Sequence, residues 1–294
     1  MNIEKLFLLQ SFSLAWHWTN SAFALVEDKE SYTLLGETQY RQLEENATKL
    51  AKYFFPQLDG RYALRQFMNR YLCPLPVADR LFWEKSLKTA EYTGTKQLVL
   101  INQGYCTFPF RKSDTKLKII DINTTNVTLN KHKLTVKMPA SASLLLADSR
   151  DEAISLLQPD YGFDNTKPAF VVVGCMPIFM DTESLEKFMS DLGSKLASGS
   201  SVVFCYGDEN FYTDEAGKCP QFIKSLTAKE TGCGYTYPQI EKLLSQRGFL
   251  IYEHLSREEM HQQYFDSFAS FNDSPLCAPD NVCYVLAVKK ETIA

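Results

Sequence analysis

The chain has 294 residues, of which 45% are hydrophobic, so it is long enough to bury a large core and too apolar to be disordered. Its 31 lysines and arginines against 35 aspartates and glutamates give a net charge of −4, with the two signs interspersed. This disfavours a nucleic-acid groove, because phosphate contacts need a clustered basic face.

The eight cysteines and four histidines form no recognised metal motif. No C-x-x-C pair occurs, and the histidines lack the spacing of metal ligands. Disulfide frameworks are typical of much shorter secreted chains. The sequence therefore predicts reduced thiols in a cytoplasmic protein without a metal site.

The first 24 residues resemble a secretion signal only loosely. Lys5 precedes a short apolar run, but Leu6, Leu9, Phe12 and Trp16 recur at helical spacing. No stretch approaches the roughly 18 apolar residues that a membrane span needs. We therefore expect an N-terminal helix, no signal peptide and no contact with a membrane.

Up to about Ala90 the pattern is helical. Apolar residues spaced by three and four predict helices over Tyr40–Phe55, Leu64–Leu72 and Arg80–Ala90, with breaks at Pro56–Gly60 and Pro74–Pro76.

The rest of the chain alternates short apolar runs with helical segments. The runs are Gln97–Ile101, Leu117–Ile122, Ser143–Ala147, Ala169–Cys175, Ser201–Tyr206, Phe249–His254 and Val282–Val288. The helices are Ser149–Leu157, Asp181–Ala197 and Tyr237–Gln246. Fully apolar strands that alternate with helices predict an α/β fold with a parallel sheet covered on both faces. A long loop, about Leu255–Asn281, joins the last two of seven strands and predicts an antiparallel edge.

The turn after the first strand, Asn102–Arg111, is where such a sheet would bind a ligand. Gly104 is its single glycine, so the G-x-G-x-x-G and Walker A motifs are both absent, which disfavours a phosphate-binding nucleotide site. Asp121 ends the second strand, where an acid can reach the hydroxyls of a ribose. A solvated strand end explains Asp121 equally well.

The segment Gln97–Arg111 reads Q-L-V-L-I-N-Q-G-Y-C-T-F-P-F-R. It resembles the Q-x-V-x-L-G-A-G-x-D-T-F-A-x-R stretch of class I S-adenosylmethionine-dependent methyltransferases of the leucine carboxyl methyltransferase family, which includes bacterial O-methyltransferases, some associated with polyketide synthesis. Asp79–Leu87, Gly162–Met180 and Tyr235–Leu255 are similar to further family blocks in the same order. The resemblance covers residues from about 20 to the end.

The resemblance implies a division of the chain into two parts. Residues 1–90 would form a helical lid over the acceptor, and residues 91–294 a Rossmann-like methyltransferase domain. Within that domain, residues 91–212 would hold the cofactor, and residues 213–294 would supply the substrate side and the edge strands.

The resemblance also implies roles in binding S-adenosylmethionine. Arg80 would pair with the methionine carboxylate, a task that suits a planar two-point donor. Gly104 would let the backbone pass under the methionine moiety, and Asp121 would bind the ribose hydroxyls. Asp148 and the Ser149 backbone would face the adenine amino group. Simpler alternatives are a surface arginine, a turn glycine and a helix N-cap at Asp148.

Several positions depart from the family pattern. Asn102 replaces the first turn glycine, Cys106 the following aspartate, Asn123 a proline and Gly174 the glutamate that ends the fourth strand. Asn102 and Gly174 remain in the predicted cofactor-binding set. If the cleft has merely decayed, Gly174→Glu should strengthen cofactor binding. Unchanged or weaker binding would indicate a rebuilt pocket.

Two functions fit these observations. The first is an S-adenosylmethionine-dependent O-methyltransferase that acts on a carboxylate or hydroxyl of a small molecule or peptide. An ionised carboxylate needs no general base, so the absence of a catalytic triad is expected. The alternative is a catalytically silent protein that binds a metabolite or a protein partner through the inherited cleft. A reductase is disfavoured, and no catalytic residue is assigned.

Overall fold

The computed structural model describes residues 3–111, 116–132, 138–226, 232–269 and 276–291. The N-terminal helices are α1 (Ile3–Asn20), α2 (Lys29–Leu35), α3 (Glu37–Phe54), α4 (Gly60–Phe67) and α5 (Pro74–Tyr92), with a π-helical turn, Met68–Leu72, between the last two. The predicted N-terminal helix is thus present as α1. Among the described residues, no helix has the length and apolarity that crossing a membrane requires.

The strands form one seven-stranded sheet in the order β3-β2-β1-β4-β5-β7-β6. They are β1 (Gln97–Ile101), β2 (Lys118–Asn123), β3 (Ala142–Leu146), β4 (Phe170–Gly174), β5 (Ser201–Gly207), β6 (Phe249–Leu255) and β7 (Val282–Lys289). The first five are parallel, and β7 is antiparallel to both of its neighbours. The predicted Rossmann-like seven-stranded mixed sheet is confirmed.

The position of the antiparallel strand differs from the prediction. β7 lies between β5 and β6, so the edge strand is β6 and the antiparallel strand is one place further in. Burial explains this order. The middle of β7 is buried, whereas Leu250 and Tyr252 of β6 are exposed, as is typical of a strand with one solvated face.

The remaining helices are α6 (Phe108–Arg111), α7 (Thr125–His132), α8 (Arg150–Ser155), α9 (Thr182–Lys195), α10 (Lys218–Leu226), α11 (Tyr237–Gln246), α12 (Arg257–Tyr264) and α13 (Asp266–Ala269). The prediction of one loop over Leu255–Asn281 was wrong, because α12 and α13 lie within it. Ser256 and Glu259 begin α12 with a capping box, in which each side chain accepts a hydrogen bond from the other's backbone N–H, at 3.3 and 2.8 Å.

The predicted break at Pro74–Pro76 is the start of α5. A proline fits the first turn of a helix, where its missing N–H would have no helical partner. The earlier start makes α5 long enough to pack along the sheet against β4, β5 and β7.

Each face of the sheet has its own core. On β1, Leu98 and Leu100 point into the core shared with the N-terminal helices, whereas Val99 and Ile101 point into the core formed with α9 and α11. Burial on both faces explains why the central strands are apolar throughout. Because α1, α5 and the sheet share one core, the division at residue 90 stays a prediction.

His17 anchors the end of α1. Its Nε2 accepts a hydrogen bond from the Leu25 backbone N–H at 2.9 Å, and Ser21 Oγ lies 3.2 Å from Nδ1. Burial lowers the pKa of His17 from 6.5 to about 4. The neutral imidazole therefore holds the connection between α1 and α2.

We expect the protein to lose stability as the pH falls from 6.5 towards 4, because the unfolded chain binds a proton at His17 before the folded one does. At about 1.4 kcal/mol per pKa unit, the loss in the free energy of unfolding is roughly 3 kcal/mol. Urea unfolding at several pH values measures it. His17→Gln should flatten this dependence, and an equally steep curve for the variant would contradict the assignment to His17.

Candidate functional site

A cavity of about 710 Å³ opens at the carboxyl ends of the parallel strands, beneath α1. Its walls come from α1, the start of α5, the turn after β1 and the segments that follow β2, β3 and β4. The volume lies in the range of small-molecule sites, and the position is where open α/β sheets bind ligands.

Arg80 is buried and lines this cavity, so the alternative prediction of a surface arginine is wrong. Its guanidinium lies 3.2 Å from Glu84 Oε1 and 3.5 Å from Asp28 Oδ2, and it stands over the Trp83 ring. These contacts fix the orientation of a cation with five N–H donors. Arg80 is therefore held in a fixed orientation at the cavity wall, and its role in binding a ligand carboxylate stays a prediction.

Asp28 links three elements at this wall. Its Oδ1 accepts hydrogen bonds from the Ser31 backbone N–H, at 3.1 Å, and from Thr107 Oγ1, at 2.6 Å. It thereby caps α2 and joins this helix to the loop after β1 and to Arg80 on α5. The sequence analysis did not identify Asp28, whose only signal is its position before a helix.

Asn102 lines the cavity in a left-handed backbone conformation, with φ 50°. Asparagine tolerates this region better than most residues, which explains how it can stand where the family has glycine. Its Nδ2 donates a hydrogen bond to Met176 Sδ, whereas its buried Oδ1 has no partner among the described residues. Such an acceptor suits an N–H or ammonium group of a ligand.

Gly104 also has a left-handed backbone, but it does not line the cavity. A Cβ atom at this position would overlap the ring of Phe7, which α1 places directly against the glycine. The structure thus brings Gly104 together with Phe7. The predicted contact with a methionine moiety would require Phe7 to move.

Asp121 lies beneath the cavity and not in its wall. Its Oδ2 pairs with Lys131 Nζ at 2.6 Å, and its Oδ1 accepts a hydrogen bond from Asn123 Nδ2 at 2.6 Å. Burial raises the pKa of Asp121, although Lys131 and Asn123 oppose the rise. The role in binding ribose stays a prediction, and it requires this pair to open.

Thr124, the residue after β2, lines the cavity instead. Its buried Oγ1 has no hydrogen-bond partner among the described residues, so it can serve a ligand hydroxyl. The sequence analysis missed Thr124, although its place after an apolar run was a usable signal.

Asp148 and Ser149 both line the cavity after β3, and their role in facing adenine stays a prediction. Ser149, and not Asp148, is the N-cap of α8, because its Oγ accepts a hydrogen bond from the Glu152 backbone N–H at 3.1 Å. The Asp148 backbone N–H donates to Glu152 Oε2 at 2.8 Å.

Gly174 ends β4 with φ 58° and lies behind the side chain of Gln103. A Cβ atom at Gly174 would lie 2.7 Å from Gln103 Nε2, which also donates a hydrogen bond to the Ile101 carbonyl at 3.1 Å. The carboxamide of Gln103, a residue that lines the cavity, therefore fills the space of a side chain at position 174. The sequence analysis missed Gln103.

We now expect Gly174→Glu not to strengthen binding of the cofactor product S-adenosylhomocysteine. The left-handed backbone costs any substituted residue about 1–2 kcal/mol, and the new side chain displaces Gln103. Gly174→Ala carries the same backbone strain without the carboxylate and serves as the matched control. Calorimetry with S-adenosylhomocysteine compares the affinities of the two variants and the wild type. Tighter binding by Gly174→Glu than by the wild type would contradict the conclusion that Gln103 has replaced a side chain at position 174.

Asp79 and Cys175 both line the cavity, and a carboxylate oxygen of Asp79 lies within 4.8 Å of Cys175 Sγ. Burial raises the pKa of Asp79 to about 7, while Arg80 and a hydrogen bond from the Cys175 thiol lower it. Cys106, where the family has aspartate, is a buried thiol of the same wall, and burial raises its pKa as well.

A family model described as leucine carboxyl methyltransferase matches residues 9–192. The chain belongs to this family. It is 27% identical over 300 residues to YktD of Bacillus subtilis (strain 168), a protein whose activity is inferred as that of an S-adenosyl-L-methionine-dependent methyltransferase, and the match covers 96% of this chain and 97% of YktD.

Two solved structures share the fold of this family member. A DUF574 family protein from Streptomyces avermitilis MA-4680 has a TM-score of 0.56 and 16% identity, over 83% of this chain and 97% of its own. An inferred methyltransferase from Thermobifida fusca YX has a TM-score of 0.51 and 15% identity, over 88% and 92%. These likenesses confirm the predicted class I methyltransferase fold.

Proposed function

We propose that this protein is an S-adenosylmethionine-dependent O-methyltransferase that acts on a carboxylate or hydroxyl of a small molecule or peptide. The observation that carries the proposal is that the buried cation Arg80 and the unpartnered acceptor Asn102 Oδ1 line the same cavity. An α-amino acid end group has a carboxylate and an ammonium, and it needs such a donor and acceptor together.

The other cavity residues extend this arrangement along the strand ends. Arg80 and Asn102 would hold the methionine end of the cofactor, Thr124 would face its ribose, and Asp148 with Ser149 would face its adenine. When bound, the cofactor supplies an electrophilic methyl group on a sulfonium. The residues of this chain then have to align the acceptor with that methyl group and exclude water.

Helix α1 is placed to exclude water from the cavity, because Phe7 packs against Gly104 and Leu14 lines the cavity. We propose that residues 1–90 act as the lid of residues 91–294 in this sense. A carboxylate acceptor is ionised at neutral pH, so the chain needs no base for it.

The silent alternative is favoured by two contacts. Lys131 forms an ion pair with the carboxylate of Asp121, and the Phe7 ring fills the space beside Gly104. A protein that keeps both contacts would bind a smaller ligand than the full cofactor through the same cavity.

The test is methyl transfer from S-adenosylmethionine labelled in its methyl group to a panel of carboxylic acids, alcohols, phenols, amines and thiols, each offered separately. Mild base separates the products, because methyl esters release methanol whereas methyl ethers are stable. Labelled ester or ether supports the proposal. Transfer confined to nitrogen or sulfur acceptors would contradict it, and binding of S-adenosylhomocysteine without any transfer would favour the silent alternative.

A further inference from the structure

Three potential metal ligands converge at the part of the cavity wall that Asp79 and Cys175 form. A carboxylate oxygen of Asp79 and the Sγ atoms of Cys175 and Cys205 all lie within 4.8 Å of one another. They come from α5, the residue after β4, and the middle of β5, so no spacing along the sequence could reveal them. The fold assembles a set that the search for metal motifs could not find.

The Asp79 carboxyl and the Cys205 sulfur share one hydrogen-bond donor, the Cys175 thiol. The Cys175 thiol lies within hydrogen-bond reach of both the Asp79 carboxyl and the Cys205 sulfur, and one S–H can serve only one of them at a time.

A second observation points to an additional occupant. Tyr284 is directly opposite Cys205 in the antiparallel pair of β5 and β7, and its side chain is fully buried. Its hydroxyl has no hydrogen-bond partner among the described residues, yet it interacts electrostatically with Cys205, Cys175 and Asp79. A buried hydroxyl without a hydrogen-bond partner, on the residue opposite Cys205, is an unsatisfied group that a further occupant of the site could serve.

We propose that Asp79, Cys175 and Cys205 bind a thiophilic divalent cation, Zn²⁺, at this part of the cavity wall. Two sulfurs and one carboxylate oxygen are ligands that zinc accepts, whereas Mg²⁺ and Ca²⁺ prefer oxygen alone. Binding breaks the two S–H bonds, releases both protons to solvent and forms two metal–sulfur bonds without any change of oxidation state.

A cation held by these three ligands would have one side towards the cavity. Asp79 and Cys175 line the cavity, whereas Cys205 and Tyr284 lie behind them, fully buried. Three ligands from the chain and one open position facing a cavity is the arrangement of a reactive zinc site. The charge of Arg80, the next residue on α5, is already compensated by Asp28 and Glu84.

The experiment uses the full chain, treated with a chelator and then titrated with Co²⁺, which reports thiolate ligands by a near-ultraviolet charge-transfer band. We expect one Co²⁺ per chain with this band, and its loss when Zn²⁺ is added. Cys175→Ala and Cys205→Ala should each weaken Co²⁺ binding by at least about tenfold. Cys73→Ala, which removes a buried thiol outside the set, should leave it unchanged.

Asp79→Asn is a near-isosteric variant that keeps the test valid if a cysteine variant fails to fold, and it too should weaken binding. Absence of the charge-transfer band in the wild type would overturn the proposal, as would unchanged affinity in the folded Asp79 and cysteine variants. Metal binding does not rest on the methyltransferase proposal, so a chain that binds S-adenosylhomocysteine but no Co²⁺ refutes only the metal site.

Discussion

Replacing Lys131 with methionine is expected to lower the free energy of unfolding by about 3–5 kcal/mol, because it leaves the buried carboxylate of Asp121 without its cation. Both side chains are fully buried, and Lys131 Nζ lies 2.6 Å from Asp121 Oδ2. The hydrogen bond from Asn123 remains, but its amide is neutral and does not compensate the negative charge of Asp121. Urea unfolding, followed by fluorescence, measures the difference.

Lys167→Met is the matched control. Lys167 forms an ion pair of similar length with Asp164, at 2.7 Å, but this pair lies on the surface. Its loss should cost much less than the loss of the buried pair, because solvent screens the two exposed charges. The double variant Lys131→Met/Asp121→Asn should recover part of the stability, because it leaves no buried charge. Equal effects of the Lys131 and Lys167 variants would contradict the buried pair.

Arg80→Ala is expected to affect both stability and binding. It leaves Asp28 fully buried without its cation, which should cost about 3–5 kcal/mol. It also removes the donor proposed for the methionine carboxylate, so the affinity for S-adenosylhomocysteine should fall by at least about thirtyfold, the equivalent of about 2 kcal/mol for a buried charged contact. Calorimetry on the folded variant measures the second effect.

Arg111→Ala separates these two effects. Arg111 pairs with the same Glu84 and donates a hydrogen bond to the Glu27 carbonyl, but it does not line the cavity. Its removal should reduce stability and leave the affinity for S-adenosylhomocysteine unchanged. Unchanged affinity in folded Arg80→Ala would show that Arg80 has only a structural role.

The sheet could be predicted from the sequence because its central strands are buried on both faces. The predicted strands agree with the structure within one residue at each end. The start of α5 and the presence of α12 could not be placed in the same way, because prolines and polar residues resemble a loop until the helix cap that they form is recognised.

Four of the predicted site residues line the cavity. Asn102 directly follows β1, Asp148 and Ser149 lie between β3 and α8, and Arg80 lies on α5. Three other predicted residues do not line the cavity. Phe7 fills the space beside Gly104, and Gln103 fills the space beside Gly174. Lys131 forms an ion pair with Asp121. A linear pattern shows where a backbone turns, but not which distant side chain fills the space beside it.

The central claim is that the cavity beneath α1 binds the cofactor of a methyltransferase, and calorimetric titration of the wild-type chain with S-adenosylhomocysteine tests it most directly. We predict a single site with a roughly micromolar dissociation constant, about −8 kcal/mol, and a matching rise in thermal stability. No heat and no thermal shift at millimolar ligand would contradict the claim.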